Sequence, residues 1–147
     1  MPKIDIKTIT EFDPSLTAHI GRLLGQLSSR PIRFTNDDLR AIIDSSGSQL
    51  MVMYADSEPV GMVTLGSYLA PTGRKVWIED VVIDSSMRGQ GLGRKLIDHA
   101  INQTQLLAPA ALMLTSRPSR IEANKLYHSA GFKQRETNVY KLEITQK

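Results

Sequence analysis

The spacing of apolar residues changes period several times along the chain, and each change marks an element. Ile4 and Ile6 alternate with Asp5 and Lys7, the period of two expected of a strand. Leu16, Ile20, Leu23, Leu24 and Leu27 then recur at helical spacing behind Asp13-Pro14, a capping residue followed by a proline that a first helical turn tolerates. This helix is predicted to end near Ser28-Ser29. A second helix is predicted behind the cap Thr35-Asn36-Asp37-Asp38, with Leu39, Ile42 and Ile43 on its apolar face and Ser45-Ser46-Gly47-Ser48 as its stop. From Gln49 the pattern becomes that of strands, 50–55 and 60–65, which flank a hairpin turn at 56–59.

A polar, glycine-containing connection over 66–75 is predicted to lead into a central apolar strand at 76–84, interrupted by the adjacent carboxylates Glu79 and Asp80. A short polar turn (Ser85, Ser86) and the glycine-rich stretch 88–93 follow. An amphipathic helix then begins near Gly91, with Leu92, Leu96, Ile97, Ala100, Ile101 and Thr104 on one stripe. Residues 110–116 read as a buried strand, and a crossover of this length places it parallel to the central one, giving a βαβ unit. A last helix is predicted from a capping box of Ser119 and Glu122, with Ala123, Leu126, Tyr127 and Ala130 on one face and Gly131 ending it. Residues 132–135 and 139–144 read as two final strands.

Bulk properties narrow the class. A chain of 147 residues with 41% apolar content is expected to form a single domain, 1–147, with a core of its own. No apolar run reaches the length of a membrane span, and the N-terminus carries acidic residues without the apolar stretch of a secretion signal, so a cytoplasmic location is expected. With no cysteine and three scattered histidines (His19, His99, His128), no thiol nucleophile or metal site is expected. The net charge of +3 comes from dispersed basic residues, and the aromatic content is 5%, which suits a small polyanionic ligand and argues against a nucleic-acid or membrane partner.

The glycine-rich stretch supplies the chemistry. Gly89, Gly91 and Gly93 let the backbone approach a ligand without Cβ obstruction, and the helix they open offers unpaired N–H groups at the positive end of its dipole. An anion is expected there. Neither the dinucleotide fingerprint nor the nucleotide P-loop matches, since the spacing is G-x-G-x-G and Arg94-Lys95 follow without a Ser or Thr. R-x-x-G-x-G (Arg88, Gly91, Gly93) after a strand instead resembles the acetyl-CoA pyrophosphate motif of the GNAT superfamily of acyl-CoA N-acyltransferases. A-x-x-x-Y-x-x-x-G-F (Ala123, Tyr127, Gly131, Phe132) resembles the second signature of the same superfamily.

The resemblance implies an α/β (α+β) fold: one GNAT-like domain with a mixed, mostly antiparallel sheet of about six or seven strands, about four helices, and the βαβ unit binding acetyl-CoA. It implies that the central strand splays from its parallel neighbour, so that the pantetheine arm pairs with backbone of Val81, Val82 and Ile83. Arg88, Gly89, Gln90, Gly91, Leu92, Gly93 and Arg94 would hold the pyrophosphate, and Tyr127 would lie near the sulfur and protonate it. Arg120 stands seven residues before Tyr127, where many relatives carry Asn, which leaves Asn124 as the replacement contact to the pantetheine. The Trp-Ile-Glu-Asp-Val-Val stretch at 77–82 is also similar to glucosamine-6-phosphate N-acetyltransferases.

For the general base, the chain offers Glu79 and Asp80, ionisable groups set in an apolar strand. A regular strand turns only one toward the cleft. Glu79, which shares parity with Val81 and Ile83 and reaches further, is the choice unless a β-bulge reverses the parity. Alternatively both carboxylates bind a cationic substrate or pair with Arg74 or Arg117. The expected activity is acetyl transfer from acetyl-CoA to a primary amine of a small molecule by direct attack in a ternary complex. The alternatives are a non-catalytic acetyl-CoA-binding module and a protein or peptide N-acetyltransferase. The acceptor is expected to enter between about 30–35, the connection at 66–75 and the C-terminal hairpin, with Arg30, Arg33 and Arg74 available to an acidic group. The final strands are expected to contribute to a possible homodimer.

Overall fold

The computed structural model describes residues 1–146. The chain divides into two compact units, the first from Met1 to Thr115 and the second from Ser116 onward. In the first, five strands form one sheet in sequence order, β1 (Ile4–Thr8), β2 (Ser48–Ala55), β3 (Glu58–Ala70), β4 (Gly73–Ile83) and β5 (Ala110–Met113). All neighbours are antiparallel except β4 and β5, which are parallel. The described strands number five, not the six or seven expected. The difference is C-terminal: 132–146 contains no strand, and Val139, Tyr140, Leu142 and Ile144 of the expected last strand are exposed.

Helices α1 (Pro14–Leu27) and α2 (Asn36–Asp44) begin as their caps dictate. Asp13 accepts from the Ser15 backbone at 3.0 Å, and Thr35 and Asp38 exchange reciprocal bonds in a capping box. Leu16, Ile20, Leu23 and Leu24 of α1 and Leu39 of α2 pack on Leu50, Val52, Met62 and Val82, which share one face of the sheet. Each such side chain removed from water contributes about 1.5–3 kcal/mol. Helix α3 (Leu92–Gln105) follows β4 and packs on β3, β4 and β5 through buried Leu92, Leu96, Ile97 and Ala100.

The expected connection over 66–75 is in fact strand. β3 and β4 continue their ladder through Gly66↔Trp77, Ser67↔Val76, Tyr68↔Lys75 and Leu69↔Arg74, so the turn is confined to residues 71–72. Cross-strand pairing overrides the weak local preference of Gly66 and Ser67. At the other hairpin, Asp56 and Ser57 both have positive φ (46° and 74°), the geometry that two-residue turns need to match strand twist.

The second unit contains α4 (Ile121–Ser129). Its end is a Schellman motif: Gly131, at φ 103°, donates to His128 at 3.1 Å, and Phe132 donates to Tyr127 at 3.0 Å. The Tyr127 and Phe132 rings meet edge-on at 6.1 Å, the apolar contact that accompanies this cap. Its start departs from expectation, because the N-cap is Arg120 without a side-chain bond, and Ser119 lends Ile121 only its backbone carbonyl.

Candidate active site

Strand β4 carries a bulge at the two carboxylates. Its ladder with β3 runs regularly to Thr64↔Glu79 and resumes at Met62↔Val82, so three steps along β4 match two along β3. Asp80 absorbs the extra residue at φ 52°, a conformation that aspartate tolerates better than most side chains. Glu79 therefore shares its face with Val82, Met62 and Thr64, the face on which α1 and α2 pack, while Ile83 lies on the other. The parity expected of a regular strand, which grouped Glu79 with Val81 and Ile83, is reversed here.

The ladder between β4 and β5 covers Arg74↔Ala110 to Trp77↔Met113 and ends, whereas β4 continues to Ile83. Past Trp77 the β5-side backbone of β4, through Val81, Val82 and Ile83, has no partner on β5. An extended polar chain can add there as a strand does.

The turn after β4 is built from Asp84. Its carboxylate accepts from the Ser86 backbone at 3.0 Å and the Ser86 hydroxyl at 2.8 Å, shaping a 3-10 turn at Ser85–Met87. Arg22 and Gln26 of α1 donate to the same carboxylate, and Gln26 Oε1 accepts from the Ser85 backbone at 2.7 Å. The serine bonds, assisted by Arg22 and Gln26 and opposed by burial, hold Asp84 down at about 2. Sequence reasoning missed this network. Asp-Ser-Ser, with a carboxylate two residues before a donor, is the local signal of such a turn, but nothing local pairs it with α1.

Gly89 (φ 78°) and Gly91 (φ 75°) then reverse the chain into α3, whose N-cap Gly91 makes no side-chain bond. Lys95 N–H reaches Gly91 O at 3.2 Å, so the N–H groups of Leu92 and Gly93 precede the first intrahelical bond. A Cβ on Gly89 or Gly91 would meet nothing within 4 Å, so the concave side of the loop is open. This backbone fits a pyrophosphate. The side chains here are engaged with their own framework: Arg88 Nε donates to Ile83 O at 3.3 Å, and Arg94 pairs with Asp98 at 2.9 Å. Gln90 is exposed and Leu92 is buried in the core.

Neither Glu79 nor Asp80 takes part in an ion pair among the described residues. Arg74, expected as a possible partner, instead donates to Ser67 Oγ at 2.9 Å on the opposite face. Glu79, like Asp80, is exposed as a residue, and the partial desolvation of its carboxyl first, with the Asp80 charge second, pushes that carboxyl upward. Arg30 and Arg33, between α1 and α2, are exposed. In the second unit Tyr127 is buried, and the Asn124 amide donates to Arg117 O and Arg120 O, each at 2.9 Å, so both of its N–H bonds are spent within that unit. Among the described residues no cluster of side chains is suited to a metal ion, and no helix is long and apolar enough to cross a membrane.

The family model described as Acetyltransferase (GNAT) family matches residues 20–132, more than half of the chain. The chain belongs to the GNAT acetyltransferase family. It is also similar to the ribosomal protein bS18 alanine N-acetyltransferase of Escherichia coli K12, at 36% identity over 55 residues, which are 37% of this chain and 37% of that protein. The fold is that of a glucosamine-6-phosphate N-acetyltransferase from Arabidopsis thaliana (TM-score 0.78, 19% identity, 95% of this chain and 98% of that one). It is equally that of an aminoglycoside acetyltransferase from an uncultured soil metagenomic sample (TM-score 0.78, 19% identity, 97% of each chain). The GNAT family uses acetyl-CoA as co-substrate.

Proposed function

We propose that the chain is an N-acetyltransferase that moves the acetyl group of acetyl-CoA to a primary amine of a small molecule, by direct attack while both substrates are bound. The observation that carries this reading is the bulge in β4. It sets an unpaired carboxylate, Glu79, on one face of the strand whose edge, a residue or two further on, offers free backbone donors.

Each residue then has a separable task. Glu79, directly or through a water, accepts the proton that the ammonium must lose before its nitrogen is nucleophilic. Its upward shift, from desolvation first and the Asp80 charge second, makes the carboxylate a stronger base than a free one. A backbone N–H of Val81 or Val82 donates to the thioester oxygen as negative charge develops on it. The amides from Arg88 to Arg94, chiefly those of the glycines and of Leu92, hold the pyrophosphate. Nitrogen–carbon bond formation and carbon–sulfur cleavage leave a thiolate, and we assign its protonation to Tyr127 on the strength of its sequence motif alone. Asp80 stays exposed beside Glu79 and supports it through its charge and by closing the bulge. Both units are proposed to serve one domain. Cytoplasmic location and a homodimer belong to the same proposal and are tested by fractionation and by sedimentation.

The deciding measurement is thiol release from acetyl-CoA against a panel of amines, with Glu79→Gln and Tyr127→Phe alongside. Amine-dependent release that falls about 100-fold or more in each variant supports the assignment. Saturable acetyl-CoA binding without release for any amine or peptide favours a binding module, and release only with peptides moves the acceptor to a protein terminus.

A further inference from the structure

The bulge and the long hairpin together line up a row of side chains on the face that carries Glu79. With regular pairing from Thr64↔Glu79 through Gly66↔Trp77 to Tyr68↔Lys75, the β4 residues Glu79, Trp77 and Lys75 share that face with Thr64, Gly66 and Tyr68 of β3. The end of the face near Met62 and Val82 is covered by α1 and α2, but the far end is open. Tyr68 is 51% exposed and Trp77 only half-buried. The indole N–H of Trp77 donates to Tyr68 Oη at 3.4 Å, which ties the two side chains on this face together. Opposite Trp77 stands Gly66, and a Cβ there would meet nothing within 4 Å, so an empty shelf borders the indole. An uncovered Trp-Tyr pair beside open space is costly in water and marks a surface for an apolar or flat group. Its neighbours are an acid at one end and, at the other, Lys75, which takes part in no ion pair among the described residues.

Resting on the N-acetyltransferase reading, we propose that this row is the acceptor site and that it selects an amine carried on a ring with an acidic substituent beyond it. The amine meets Glu79, the ring lies on Trp77 over Gly66, and the anion faces Lys75. Same-face residues of a strand repeat about every 7 Å, a step that suits an amine and the ring next to it. The order of charges disfavours polyamines, whose second cation would fall at Lys75.

The test is acetylation kinetics with glucosamine 6-phosphate, glucosamine, O-phosphoethanolamine and putrescine, each also titrated against the fluorescence of Trp77, the single tryptophan. The expected order of kcat/KM is glucosamine 6-phosphate, then glucosamine, then the two ring-less amines, with steps of about tenfold, the size that a lost charge or ring contact produces. Trp77→Ala should erase the advantage of the rings, and Trp77→Phe should restore most of it. Lys75→Met should erase the advantage of the phosphate. KM for acetyl-CoA should stay within twofold throughout. Equal rates with ring-less amines, an equal loss for every amine in the variants, or acetyl-CoA binding without turnover of any of the four would overturn the proposal and leave the family reading standing. Failure of the wild-type chain to bind acetyl-CoA would instead bring down the N-acetyltransferase reading on which it rests.

Discussion

Arg22, in the middle of α1, donates its guanidinium to the carboxylate of Asp84, the residue that ends β4 and starts the turn into the glycine cradle. The pair is lopsided, with the Asp84 side chain 11% exposed and that of Arg22 44%. The same guanidinium also reaches the Pro59 carbonyl at 3.1 Å. One helix thus fixes both the β2–β3 hairpin and the entry to the cradle.

If that tie sets the position of the cradle, Asp84→Asn should act on the pyrophosphate end of the co-substrate and nowhere else. KM for acetyl-CoA is expected to rise about tenfold, equivalent to about 1.4 kcal/mol. S-acetylpantetheine, which has no pyrophosphate, should be used with the same KM as by the parent. Arg22→Met should follow the same pattern. Equal losses with both thioesters would reduce the network to general stability.

Acid should release the same tie. The carboxyl of Asp84 titrates at about 2 when folded, against 3.8 unperturbed. A depressed value means that the unfolded chain binds the proton more readily, so the contribution is fully present above pH 4 and is lost as pH falls toward 2. It amounts to at most about 2.5 kcal/mol. Urea melts at pH 6 and pH 3 should therefore converge in Asp84→Asn relative to the parent.

Sequence alone revealed those parts of the molecule that are written locally. Asp13-Pro14 and Thr35 to Asp38 started helices where their caps said, and Gly89 and Gly91 of the glycine-rich stretch take the positive φ values that turn the chain into α3. What it did not reveal depends on partners distant in the chain. The extension of the hairpin through Gly66 to Lys75 comes from pairing, and the bulge comes from a mismatch of step between β3 and β4. The tie between Arg22 and Asp84 joins residues 62 positions apart. None of the three is written in a single strand or turn, and a single strand does not state its register.

Glu79→Gln should expose a conflict between stability and activity. Its carboxyl lies above 4.5 when folded, through burial and then the Asp80 charge, so the folded chain holds that proton more tightly than the unfolded chain does. Stability then falls as pH rises from 4.5 through the folded value, and the deficit persists at pH 7. A neutral glutamine removes the deficit, and Tm at pH 7 should rise, with no gain at pH 4. Over the same range the parent's kcat/KM should climb along an acid limb that lies above pH 4.5, and the variant should lack that limb. A Tm that drops at both pH values would contradict the assignment of Glu79 as an unpaired, partly desolvated carboxylate.

Gly61 tests the backbone of β4 from a position on β3 that has no part in the chemistry itself. A Cβ at this position would come within 2.7 Å of Ile83 Cδ1 and 3.0 Å of the Val82 carbonyl oxygen, against Met53 at 3.6 Å behind it. The Ile83 terminus can rotate away. The carbonyl belongs to the strand itself and yields only if β4 moves. Gly61→Ala should cost about 1–3 kcal/mol, the usual range for overpacking, seen as a lower urea midpoint with an unchanged m-value. Because Val82 lies beside the amides that face the open edge, the displacement should also lower kcat with acetyl-CoA and with S-acetylpantetheine alike, the opposite of the selectivity expected for Asp84→Asn. A chain that loses stability but keeps full kcat would mean that the strand moves as a rigid body and that the positions of Val81 and Val82 are not what limits the rate.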